Sequence, residues 1–154
     1  MENKIDCIIE IKKGTSVKYE FDKKAKRLRC DRVLGTSMVY PFNYGYIENT
    51  LSGDGDPLDV MVVCDFGLEP MSIVSIKVLG VIRTLDGGGE DDKIIAVPSK
   101  KVNGKRDVSN KELKKIMHFF NHYKEGSKVL KCSFGVDNAM AVYKASKRLY
   151  DTLP

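Results

Sequence analysis

No stretch of the sequence approaches the roughly 20 consecutive apolar residues that a membrane-spanning helix needs. The segment Met1-Glu-Asn-Lys-Ile-Asp6 also lacks the apolar block of a secretory leader. The expected address is therefore the cytoplasm, with no membrane partner. No Cys-x-x-Cys occurs. Cys7, Cys30, Cys64 and Cys132 are widely spaced, which argues against structural zinc and a disulfide framework and leaves them as buried or inert thiols. Internal repeats, linkers and low-complexity segments are absent, so residues 1–154 are expected to form one domain. A chain of this length buries enough surface for its own core.

Basic residues are missing altogether between Arg32 and Lys77. Residues 33–97 carry three Lys/Arg against ten Asp/Glu, a net of −7, while residues 98–154 carry thirteen Lys/Arg against five Asp/Glu. An acidic centre between basic arms is a poor nucleic-acid profile, because a duplex binder presents one continuous cationic face. It suits a site that holds cations and an anionic ligand together.

What is present reads mainly as strands. Ile5–Ile11 is a short apolar run, and Val17-Lys18-Tyr19-Glu20-Phe21 alternates, with Val17, Tyr19 and Phe21 toward a core and Lys18 and Glu20 sharing the other face. Further strands are expected over residues 28–34, 59–64, 73–83 and 94–97. With no helices between them, a meander or closed barrel is favoured over βαβ units. Helices come late. Ser109-Asn-Lys-Glu112 is a capping box, Leu113, Ile116, Met117 and Phe120 recur at helical spacing, and Gly126 ends the helix. A second helix is expected from Asp137 or Asn138, burying Val142, Ala145 and Leu149.

The densest chemistry lies in Asp54-Gly55-Asp56-Pro57-Leu58-Asp59. Gly55 permits a tight bend and Pro57 stiffens it, so three carboxylates converge. Crowded carboxylates raise one another's pKa unless a cation sits among them. Oxygen donors without His or Cys select Mg²⁺, Mn²⁺ or Ca²⁺ over zinc. The string is not an EF-hand, since Leu58 and Asp59 occupy the positions that need Asp and Gly. A solvated acidic turn remains open. A second acidic group, Asp86-Gly-Gly-Gly-Glu90-Asp91-Asp92-Lys93, has no Gly-Lys-Ser/Thr ending and so is not a P-loop. Lys18, Arg32, Lys93 and Lys124 with Tyr40, Tyr44 and Tyr123 form a set of phosphate-type donors. Together with the acids they resemble a two-metal phosphoryl-transfer site. His118 and His122 stand four apart on the first helix and read as packing or subunit contact, because hard cations do not seek imidazole.

These residues resemble family I soluble inorganic pyrophosphatases of the short prokaryotic type. The likeness is carried by Asp54-Gly-Asp-Pro-Leu-Asp59-Val60, Ile9-Glu10-Ile11, Lys18-Tyr19-Glu20, Asp31-Arg32, Tyr40-Pro41-x-Asn43-Tyr44-Gly45-Tyr46-Ile47, Gly89-Glu90-Asp91, Lys93 and His118-Phe119-Phe120-x-His122-Tyr123-Lys124. It implies a mainly β (α+β) fold, a small five-stranded OB-like barrel with two flanking C-terminal helices. It implies hydrolysis of inorganic pyrophosphate to two orthophosphates by metal-activated water attack, with Mg²⁺, or Mn²⁺ or another divalent ion, as cofactor. Asp54, Asp59, Asp91, Asp86, Glu10 and Glu20 would hold metal. Asp56 would be the general base. Lys18, Arg32, Tyr44, Lys93, Tyr123 and Lys124 would grip pyrophosphate and phosphate, with Tyr40 behind them. A homohexamer and no nucleic-acid partner are implied as well. The chain departs from the family in lacking any Trp and in carrying Gly87-Gly88 beside Asp86. A nucleotide phosphohydrolase and a non-catalytic nucleic-acid-binding barrel are the alternatives.

Overall fold

The computed structural model describes residues 5–87, 89–102 and 107–154. Its elements are β1 (Ile5–Ile11), β2 (Val17–Asp22), β3 (Arg27–Val33), β4 (Asn43–Ile47), β5 (Asp59–Val62), β6 (Ile73–Asp86), β7 (Gly89–Pro98), α1 (Asn110–His122), β8 (Lys128–Ser133) and α2 (Val136–Asp151). The order β1-β4-β5-β7-β6 is closed by a β6–β1 pairing, so five strands form a ring, and β8 adds to the outside of β6. Within the ring only β5 and β7 run parallel. The five-stranded barrel is thus as expected, but two of its details differ. β2 and β3 stand outside the ring as a separate hairpin, and β4, in a segment not read as a strand, belongs to it.

Val60, Met61, Val62, Val63 and Cys64 are all fully buried, because this stretch is covered on both faces. Val60 and Val62 join Cys7, Ile9, Ile94 and Ala96 in one cluster, drawn from across the ring. Met61 and Val63 join Ile116, Phe119 and Phe120 of α1 in the other. A strand buried on both sides reads as a continuous apolar run rather than an alternation. Gly45 lets β4 lie against β1, since a Cβ there would stand 1.8 Å from the Ile8 carbonyl oxygen.

The capping box opens α1 with both reciprocal bonds made. α2 starts at Val136 with Gly135 as its N-cap. Its barrel-facing side differs from expectation: Ala139 and Ser146 are buried and Val142 partly so, while Ala145 and Leu149 are exposed. The two small residues permit close approach, and the Ser146 carbonyl accepts the Leu51 N–H at 3.0 Å. All four cysteines are free thiols. Cys7 and Cys64 are buried and Cys132 is half-buried, whereas Cys30, on the hairpin, is exposed. Among the described residues no helix is long and apolar enough to cross a membrane.

Candidate active site

Where β1, β2, β4, β5 and β7 meet the end of α1, a cavity of about 550 Å³ opens. Glu10, Lys18, Glu20, Tyr40, Tyr44, Asp54, Asp56, Asp59, Asp91, Lys93, Tyr123 and Lys124 all line it. These predicted residues come from stretches more than a hundred positions apart. Arg32 does not line the cavity. It pairs in register with Lys18 across the hairpin, and its Nε lies 3.9 Å from Asp31. Asp86 ends β6, and its side chain lies outside the described residues, as does Gly88. His118 and His122 are exposed, their rings 4.4 Å apart, and take no part in the cavity.

Strand periodicity sets the centre of the site. Asp91 and Lys93 are two apart on β7 and share a face, while Asp59 is the register partner of Lys93 on β5. The buried Lys93 ammonium donates to Asp91 at 2.9 Å, to Asp59 at 3.1 Å and to the Tyr44 hydroxyl at 2.8 Å. It also lies 5.4 Å from the Tyr44 ring centroid. Burial disfavours its charge, but its anionic neighbours Asp59 and Asp91 prevail and hold it well above the ordinary lysine range. Tyr44 is pushed up by burial and by Asp59, so it stays protonated. Asn43 fixes this part of β4: its Oδ1 accepts the Lys13 and Leu68 N–H groups at 3.0 and 2.9 Å, and its Nδ2 donates to the Phe66 carbonyl at 2.9 Å.

The acidic string forms a turn. Gly55 sits at φ 89°, the Asp56 N–H donates to Asp54 Oδ1 at 2.9 Å, and the Ser52 N–H donates to the Asp56 carbonyl at 2.7 Å. The Asp56 carboxyl is raised by partial burial and then by Asp54, Glu20, Asp59 and Asp91. Glu10 is raised to about 7, chiefly by burial, although its Oε2 accepts the Phe21 N–H at 2.7 Å. Lys18 bridges Glu20 at 3.1 Å and Asp31 at 3.2 Å, and these partners outweigh its burial and raise it.

Among the described residues no three His, Cys, Asp or Glu side chains form a ready metal-binding group. Asp59 and Asp91 share an ammonium instead. The donor chemistry nevertheless fits a hard divalent cation. The acids are carboxylates alone, and a cation among them would favour the ionised forms that crowding now disfavours at Asp56 and Glu10. Sequence reasoning missed Asp22, Lys23, Lys24 and Tyr46 in the cavity wall. Asp22 continues the Lys18–Glu20 face at the same period of two, a signal that was there to be read. Tyr46 is the register partner of Asp59, which only the sheet pairing shows.

A family model described as inorganic pyrophosphatase matches residues 7–151. The chain is similar to the inorganic pyrophosphatase of Saccharolobus solfataricus, at 45% identity over 130 residues, covering 80% of this chain and 76% of the relative. It is 47% identical over 126 residues to that of Halalkalibacterium halodurans, covering 79% and 77%. The solved inorganic pyrophosphatase of Helicobacter pylori superposes with a TM-score of 0.91 at 34% identity, covering 96% of this chain and 94% of that one. That of Thermus thermophilus gives 0.88 at 31% identity, covering 95% and 90%.

Proposed function

The chain belongs to the inorganic pyrophosphatase family, and from that membership we propose that it hydrolyses inorganic pyrophosphate to two orthophosphates. The observation that carries this reading is the meeting of seven carboxylates, five lysines and several tyrosines in one cavity. Asp54, Asp59 and Asp91, with Asp86, Glu10 and Glu20, would hold Mg²⁺, or Mn²⁺ in its place. Bound there, such ions supply neutralisation of phosphate charge and an acidified water.

The chain's own groups do the rest. Asp56 accepts the proton of the attacking water. The water oxygen bonds one phosphorus as the bridging P–O bond breaks, and the second phosphate leaves with that bond's electrons. Lys18, Lys93 and Lys124 neutralise the phosphate oxygens; Arg32, outside the cavity wall, would have to swing in from the hairpin to join them. Tyr44 and Tyr123 donate O–H bonds without adding charge.

We place the protein in the cytoplasm as a single-domain subunit of a homohexamer. Exposed Phe66 and Met71 on the β5–β6 connection, with exposed Ile73 at the start of β6, support subunit contacts there. Phosphate release from pyrophosphate and from ATP, with Mg²⁺ or with excess chelator, tests the function. Release from pyrophosphate only with Mg²⁺ is expected. Preferential ATP turnover would make the protein a nucleotide phosphohydrolase, and full activity in chelator would remove the metal.

A further inference from the structure

Carboxylates outnumber lysines seven to five in the cavity wall; divalent ions held by those acids would offset the excess where they bind, and the charge that a polyanion first meets at the rim is set by the chain's own side chains. Most of the lysines are already engaged. Lys18 bridges Glu20 and Asp31, Lys93 bridges Asp59 and Asp91, and Lys124 lies against the Tyr123 ring at 5.3 Å. Lys23 and Lys24 also line the cavity, are exposed, and make no ion pair among the described residues.

Their position is built. The Glu10 carboxylate on β1 accepts the Phe21 N–H and ties the end of β2 to the barrel. Asp22 Oδ1 then accepts the Lys24 and Ala25 N–H groups, both at 3.0 Å. Asp22 Oδ2 takes Arg29 Nε and Nη2 at 3.0 and 2.8 Å. Asp22 is therefore occupied on both oxygens and does not compete for the two ammonium groups beside it.

We propose that Lys23 and Lys24 form a capture platform on the cavity rim that draws the polyanionic substrate inward and takes no part in cleaving the P–O bond. This rests on the pyrophosphate reading. Steering by such charges raises association about 10-fold to 10³-fold and fades with salt. The Debye length is roughly 17 Å at about 0.03 M ionic strength and about 3 Å at 1 M.

The test is steady-state hydrolysis of pyrophosphate with saturating Mg²⁺ by the Lys23→Gln/Lys24→Gln double variant at those two ionic strengths. The expected result is kcat within about twofold of the parent, with kcat/KM about five- to tenfold lower at low ionic strength and less than about twofold lower at high. Lys23→Arg/Lys24→Arg keeps the charges and should restore the parent's kcat/KM and its salt dependence. A deficit equal at both ionic strengths, no deficit, or a loss confined to kcat would overturn the platform while leaving the pyrophosphatase reading intact. A parent protein inactive on pyrophosphate would defeat that reading, and the platform with it.

Discussion

Asp59 and Lys93 are register partners across the ring's parallel strand pair, and their side chains meet at 3.1 Å with Lys93 almost fully buried. The ammonium occupies the point between Asp59 and Asp91 where charge compensation is most needed. Removing it leaves two carboxylates facing each other in a poorly solvated place. Lys93→Met should cost about 3–5 kcal/mol in the metal-free protein, as losing one partner of a buried ion pair does, and should abolish most turnover. Mg²⁺ should raise the melting temperature of this variant more than that of the parent, because the cation supplies the missing charge. Equal Mg²⁺ shifts in the two proteins would show that Lys93 does not compensate these acids.

Asp56 contributes to its turn through its backbone N–H and carbonyl, and no hydrogen bond to its carboxylate is seen among the described residues. Asp56→Asn should therefore keep the parent's melting temperature within about a degree while lowering kcat by about 10²–10⁴-fold, the usual worth of a positioned proton acceptor. Near-parent turnover in Asp56→Asn would take the base role from it.

Glu10 gives stability a pH dependence. Its folded carboxyl is pushed up to about 7, against 4.5 for the solvent-exposed group of the unfolded chain, by burial and then by Asp59 and Glu20. Between those values the folded protein retains a proton that the unfolded chain has released. Stability of the metal-free protein therefore falls as pH rises across that window, by at most about 3 kcal/mol, and is level above it. Glu10→Gln keeps an oxygen for the Phe21 N–H and cannot ionise. By urea unfolding in chelator it should match the parent near about pH 4 and exceed it near about pH 8. Parallel pH profiles for the two proteins would rule Glu10 out as the source.

The sites were easier to read than the strands that hold them. Three acids spaced by Gly55 and Pro57 announce a convergent turn, whereas the shared face of Asp91 and Lys93 emerged only because β7 starts at Gly89 rather than at the expected residue 94. The capping box at Ser109 placed α1 to within a residue. β4 stayed hidden because Asn43-Tyr-Gly-Tyr-Ile has glycine at its middle, which weakens an isolated strand. Only closure of the ring explains that glycine. The face of α2 was misread because Leu149 outranks Ala139 and Ser146 in hydrophobicity, while close approach to the barrel selects the smaller side chains. Hairpin β2–β3 alternates like a ring strand, and nothing local to it records that it pairs with itself alone.

Gly45 carries the most severe prediction. An added Cβ would lie 1.8 Å from the Ile8 oxygen and 2.9 Å from the Ile8 carbon, both backbone atoms with no rotamer to escape into. β1 cannot retreat freely, because its residues 5–8 also pair with β6 to close the ring. Gly45→Ala should therefore exceed about 4 kcal/mol of destabilisation, the range reserved for backbone conflicts and broken cores, and appear as lost soluble protein or a collapsed thermal transition. Gly35 has open space around its Cβ position and no left-handed φ, so Gly35→Ala should stay within about 0.5 kcal/mol of the parent. If both variants melted with the parent, the close approach of β4 to β1 would not be a constraint on this barrel.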